Sequence, residues 1–67
     1  MEDLKNTVGL KIKKLRKGTD LTQEHLAEQA GISVDFLSLI ERGKNAPSFE
    51  TLEKIANALH VSVKELF

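Results

Sequence analysis

A chain of 67 residues is expected to form one domain, 1–67, and at this length folding hides only roughly 60% of the surface of the unfolded chain, so the core has to be efficient. The absence of cysteine excludes a disulfide staple and a thiolate metal site, and two separated histidines cannot assemble the tetrahedral ligand set of a structural zinc centre. Ten basic and ten acidic residues cancel, which argues against an indiscriminate polyanion binder.

The opening stretch, MEDLKNTVGLKIKKLRKG, carries charge throughout. It has no apolar run of signal-peptide or membrane-spanning length, so a cytoplasmic protein with no membrane contact is expected. Leu4, Val8, Ile12 and Leu15 recur at helical spacing and predict a first helix with one apolar stripe, ending near Gly18. Lys11, Lys13, Lys14 and Lys17 sit off that stripe. Leu10 also lies off it, as either an isolated exposed leucine or part of a self-association surface. The charges are unevenly placed: Lys5 to Lys17 contains six basic and no acidic side chains, whereas Gly18 to Ile40 contains Asp20, Glu24, Glu28 and Asp35 and no Lys or Arg.

Thr22 is a natural N-cap, and Leu21 with Leu26 forms a hydrophobic staple across it, so a second helix starts at Gln23. Leu26, Ala27 and Ala30 point inward, and Gly31 supplies the left-handed residue that closes the helix. The device repeats at once. Ile32, Ser33 and Leu37 make another staple and cap, and a third helix begins at Val34. RGKNAP, Arg42 to Pro47, reads as a loop. Ser48 caps a fourth helix striped by Phe49, Leu52, Ile55, Ala56 and Leu59, and Val61, Ser62, Glu65 and Leu66 announce a short last helix with its own staple and capping box. No stretch alternates with period two long enough for a strand. An all-α, compact five-helix domain is the expectation.

Small Ala27, then Gly31, then large Leu37 and Ile40 is the order expected when two helices cross steeply through a tight turn. Spacing alone leaves open whether such a corner is purely structural or binds nucleic acid. At about 100° per residue, Phe36, Leu37 and Ile40 fall on one side of the third helix, with Glu41 at the edge of that side. Val34, Asp35, Ser38, Leu39 and Arg42 fall on the other.

From Gln23 to Phe67 the chain resembles the phage-repressor/Cro-type (XRE-like) helix-turn-helix regulators, whose pattern is Q-x-x-L-A-x-x-x-G-[IV]-S-x-x-x-[IL]-S-x-[IL]-E-x-G, followed by P-S and a V-S-x-x-x-L ending. Gln23, Leu26, Ala27, Gly31, Ile32, Ser33, Leu37, Ser38, Ile40, Glu41 and Gly43 all fit, and the likeness extends back to Ile12, Leu15 and Arg16. The resemblance implies a lambda-repressor-like DNA-binding fold with its helix-turn-helix at about residues 23–42. It also implies a transcriptional regulator, most simply a repressor, with the helix from Val34 in the major groove of a double-stranded DNA operator. It further implies a structural ion pair between Arg16 on the first helix and Glu41 at the end of the third.

The expected base-reading face, Val34, Asp35, Ser38 and Leu39, departs from the Arg, Lys, Gln, Asn or Ser that commonly occupy such positions. Val34 and Leu39 can pack on thymine methyl groups, Asp35 can accept from a cytosine amino group, and Ser38 can donate or accept. A modest binder that discriminates partly by exclusion and shape is expected. Phosphate contacts are expected from Gln23 and its N–H at the positive end of the second helix, and from Arg42, Lys44, Asn45 and the N–H of Gly43. The neutral, partly acidic reading face also suits an alternative, a protein-interaction or antitoxin-type module with weak or no DNA binding.

One such helix covers half a site, so a homodimer on a pseudo-palindrome is expected. The last helix with Leu66 and Phe67, together with Leu10, is the candidate contact surface. Nothing points to an enzyme: there is no Gly-rich phosphate loop and no nucleophile with a base at a recognisable spacing. No cofactor, metal or small-molecule ligand is expected. His25 reads as a helix-surface residue, His60 as a helix-terminal one, and Phe36 as a packing residue rather than a base stacker.

Overall fold

The computed structural model describes residues 3–67; Met1 and Glu2, within the expected 1–67 domain, lie outside the described residues. Four α-helices follow in order, α1 (Leu4–Gly18), α2 (Gln23–Ala30), α3 (Val34–Glu41) and α4 (Phe49–Leu59), and a 3₁₀ turn, Val63–Leu66, closes the chain. The fifth helix expected from the sequence is therefore a single tight turn. Ser62 N–H reaches Glu65 Oε2 at 3.4 Å, the reach-back half of the expected capping box, while Val63–Leu66 takes the tighter 3₁₀ form.

Each later helix starts where a hydroxyl can receive an orphan N–H. The Thr22 side chain accepts from His25 N–H at 3.0 Å, that of Ser33 from Phe36 N–H at 3.0 Å, and that of Ser48 from Thr51 N–H at 3.1 Å. Gly31, at φ 73°, ends α2 in the left-handed region and lets Ile32 N–H return to the Ala27 carbonyl at 3.0 Å. His60 does the same for α4 at φ 60°. After α1 the left-handed residue is Asp20, φ 59°, rather than Gly18, which is the last helical residue.

α1 packs against α3, α2 against both α3 and α4, and the closing turn against α4 and α1. Ile12, Leu26, Leu37, Ile40, Ile55 and Leu66 are fully buried at the centre. Burying side chains of this size is worth about 1.5–3 kcal/mol each, the main source of stability in a chain with no cross-link. Two residues placed on inward stripes by periodicity stay outside: Leu4 is 61% and Phe49 58% exposed. Each is the first residue of its helix. Leu66 departs in the other direction, with no exposed surface.

Gly9, in the middle of α1, marks a close approach of α1 to α3. A Cβ there would collide with the Ile40 carbonyl oxygen and lie 3.0 Å from that of Glu41. The bare backbone lets α1 touch the C-terminal end of α3, and this contact brings Arg16 within reach of Glu41.

Candidate nucleic-acid interface

α3 is held from behind and bare in front. Leu37 and Ile40 are buried and Phe36 packs on the core as a half-buried residue, while Val34 and Asp35 are exposed and Ser38 and Leu39 half-buried on the outward side. The two-helix corner follows from Gly31, which turns the chain, and Ser33, which restarts it two residues later.

A buried polar joint fixes the corner. Arg16 Nε donates to Glu41 Oε2 at 2.7 Å and Nη2 to Oε1 at 3.1 Å, a two-pronged charge-assisted pair. Arg16 Nη1 donates to the Leu21 carbonyl at 2.8 Å. Gln23 Nε2 donates to Glu41 Oε1 at 2.9 Å. One carboxylate thus gathers three donors and joins α1, α2 and α3. Arg16 is 8% and Glu41 4% exposed, and the charges are tolerated there because they are paired and hydrogen-bonded.

The joint changes what Gln23 can do. Its carboxamide N–H is turned toward Glu41, whereas the expected role had the side chain facing phosphate. The backbone N–H of Gln23 remains in the first turn of α2, where no intrahelical acceptor precedes it. Sequence reasoning missed the Gln23 to Glu41 bond, the Leu21 carbonyl and Gly9, because each depends on how three helices meet. The glycine inside a helical pattern was the one available signal.

At the far end of α3, Arg42 and Lys44 are exposed and Asn45 half-buried. Arg42 Nε bonds back to the Ser38 carbonyl at 3.4 Å, which lays the guanidinium along the outward side of α3. The expected phosphate donor at Gly43 is not available: at φ 73° its N–H donates to the Ile40 carbonyl at 3.0 Å, closing the helix. The Lys44 N–H is likewise taken by Leu39 O at 2.9 Å. The side-chain cations of Arg42 and Lys44 stay exposed.

Among the described residues no group of three or more His, Cys, Asp or Glu could hold a metal ion, and His25 and His60 are both exposed. No helix among them is long and apolar enough to cross a membrane.

A tight two-helix corner with an anchored, outward-facing second helix and a cationic rim defines a helix-turn-helix module. A helix-turn-helix family model matches residues 12–66. The chain is 47% identical over 60 residues to the immunity repressor of Bacillus phage phi105, covering 90% of this chain and 42% of that protein. It is 46% identical over 68 residues to the control protein C.MunI of a Mycoplasma species, covering 100% of this chain and 92% of that protein. The chain thus spans less than half of the phage repressor and nearly the whole of the control protein. Among solved structures it resembles the biofilm master regulator SinR in complex with DNA, from Bacillus subtilis, with TM-score 0.84 and 42% identity over 88% of this chain and 95% of that one. The chain belongs to the Cro/C1-type helix-turn-helix family of DNA-binding transcriptional regulators, and its role is DNA binding rather than catalysis.

Proposed function

We propose that this protein is a cytoplasmic repressor that binds a pseudo-palindromic operator sequence-specifically, with α3 in the major groove. The observation that carries the reading is the two-sided construction of α3. One side is fixed by the core and the Arg16–Glu41–Gln23 joint, and the other carries exposed Val34 and Asp35 and half-buried Ser38 and Leu39. A reading helix needs both properties, since base edges must be met by side chains whose backbone does not move. Arg42, Lys44 and Asn45 contact phosphates on one flank, and the first-turn N–H of Gln23 does so on the other. The similarity to a phage immunity repressor supports repression, and the similarity to a regulator solved with DNA supports the docking mode.

The protein acts as a homodimer. Leu4, Val8, Ala46, Pro47, Leu52 and Phe67 line an apolar groove at the end of the molecule where α1 begins, with Leu4 61% and Phe67 47% exposed. The groove includes Ala46 and Pro47 of the loop after α3, and a second copy seated there about a two-fold axis would present a second α3 to the other half-site, about 10 bp away or a multiple of that. Buried Leu66 is withdrawn from this surface, and exposed Leu10 lies on another side of α1.

One selection experiment tests the reading. Duplexes bound by the 67-residue chain at low salt are recovered from a random pool and re-measured at two salt concentrations. A two-fold symmetric consensus is expected, with a steep salt dependence whose slope becomes shallower by about 1 for each phosphate that Arg42→Ala or Lys44→Ala leaves unneutralised. No enrichment by a folded chain would favour a protein partner for the neutral face of α3.

A further inference from the structure

Resting on that reading, we propose that Asp35 and Leu39 together read a cytosine carrying a C5-methyl group, so that cytosine methylation of the operator strengthens binding. The two residues lie one turn apart on the outward side of α3, a spacing that brings Cβ atoms to about 5–6 Å. Asp35 is exposed and, among the described residues, outside the Arg16–Glu41 ion pair. Its ionised carboxylate only accepts hydrogen bonds. Leu39 is half-buried and stands outside the hydrophobic core cluster, so part of its isobutyl group faces outward.

In the major groove, cytosine presents the N4 amino group as a donor with C5 as the neighbouring ring position. Thymine has the methyl, but its O4 acceptor would face the carboxylate. Guanine offers acceptors only. Adenine offers an amino donor beside the N7 acceptor and has no methyl. Only a 5-methylated cytosine places a donor for Asp35 directly beside an apolar group for Leu39; in an A·T pair the thymine O4 acceptor lies between the adenine amino group and the methyl, where it would face the carboxylate. No Lys, Arg, Asn or Gln lies on this side of α3 before Arg42, so no bidentate contact with a base overrides the methyl contribution.

The test runs the selection twice with the full chain, from a random pool made with cytosine and from one made with 5-methylcytosine throughout. Winners are resynthesised with and without the methyl groups, and their affinities for the wild type, Leu39→Ala and Asp35→Asn are measured by fluorescence anisotropy. The expected consensus places cytosine at a fixed position in each half-site, and each methyl tightens binding about fourfold, the effect of burying one methyl-sized group. Leu39→Ala abolishes the methyl ratio and keeps the cytosine preference, whereas Asp35→Asn relaxes that preference. Leu39 lies off the core cluster, so this variant should fold, which circular dichroism checks. A methyl ratio of one in the wild type, or a ratio that survives Leu39→Ala, would overturn the inference while leaving operator binding intact. Failure to enrich either pool would remove the DNA reading and the inference with it.

Discussion

On its inner side α3 holds Glu41 under three donors drawn from α1 and α2, and on its outer side it shows solvent Val34, Asp35 and Leu39. A buried charge beside Leu37 and Ile40 inside, and apolar groups beside Asp35 outside, depart from the usual distribution, and both placements have a physical reason. The inner carboxylate is tolerable because every oxygen is bonded, and directional bonds fix the angle between helices more tightly than dispersion contacts do. The outer apolar groups, Val34 and Leu39, are solvated poorly, which suits the groove contact proposed for that side. Stability and recognition are therefore divided between the two sides of an eight-residue helix.

Glu41→Ala tests the inner side most severely. It leaves the Arg16 guanidinium buried with the Leu21 carbonyl as its remaining partner, and should destabilise the fold by about 3–5 kcal/mol, read as a fall in the urea midpoint. Gly9→Ala leaves every polar bond in place and wedges a methyl between α1 and the Ile40 carbonyl. The helices must part, at a cost of about 1–3 kcal/mol in the same assay. Gln23→Ala removes a single, partly exposed donor from the joint and should cost about 1 kcal/mol. A larger loss in DNA affinity than in stability would show that the carboxamide also serves the phosphate backbone. Val34→Thr, on the outer side, should stay within about 0.5 kcal/mol of the wild type in stability while changing the selected bases. If it destabilised the fold as much as Gly9→Ala, the division between the two sides would not hold.

The parts of this architecture that were legible in the sequence are the local ones. Thr22, Ser33 and Ser48 each accept an N–H from within their own first turn, a bond whose partners lie three residues apart and which needs no other helix. The corner at Gly31 is legible for the same reason. Periodicity tells which way a side chain points, but not whether anything stands opposite, so it placed Leu4 and Phe49 inside and left Leu66 free for a partner. The site shows the same boundary. The helix wheel separates Val34, Asp35, Ser38 and Leu39 from Leu37 and Ile40 without any tertiary information. The engagement of Gly43 N–H with Ile40 and of Gln23 with Glu41 depends on end geometry and on the meeting of three helices. His60, expected at a helix end, takes the left-handed conformation there, whereas Asp20 at positive φ lay outside the glycine rule, because Asp tolerates that region without advertising it.

The clasp formed by Arg16, Glu41 and Gln23 has a consequence for how such a protein changes over generations. Because the joint holds the helix by residues other than Val34, Asp35, Ser38 and Leu39, the outward positions are released from the duty of keeping the chain folded. Substitutions at Val34, Asp35 or Leu39 can then accumulate, and a new target site can be tried, without passing through an unstable ancestor. The small hidden carboxylate makes the exposed surface evolvable.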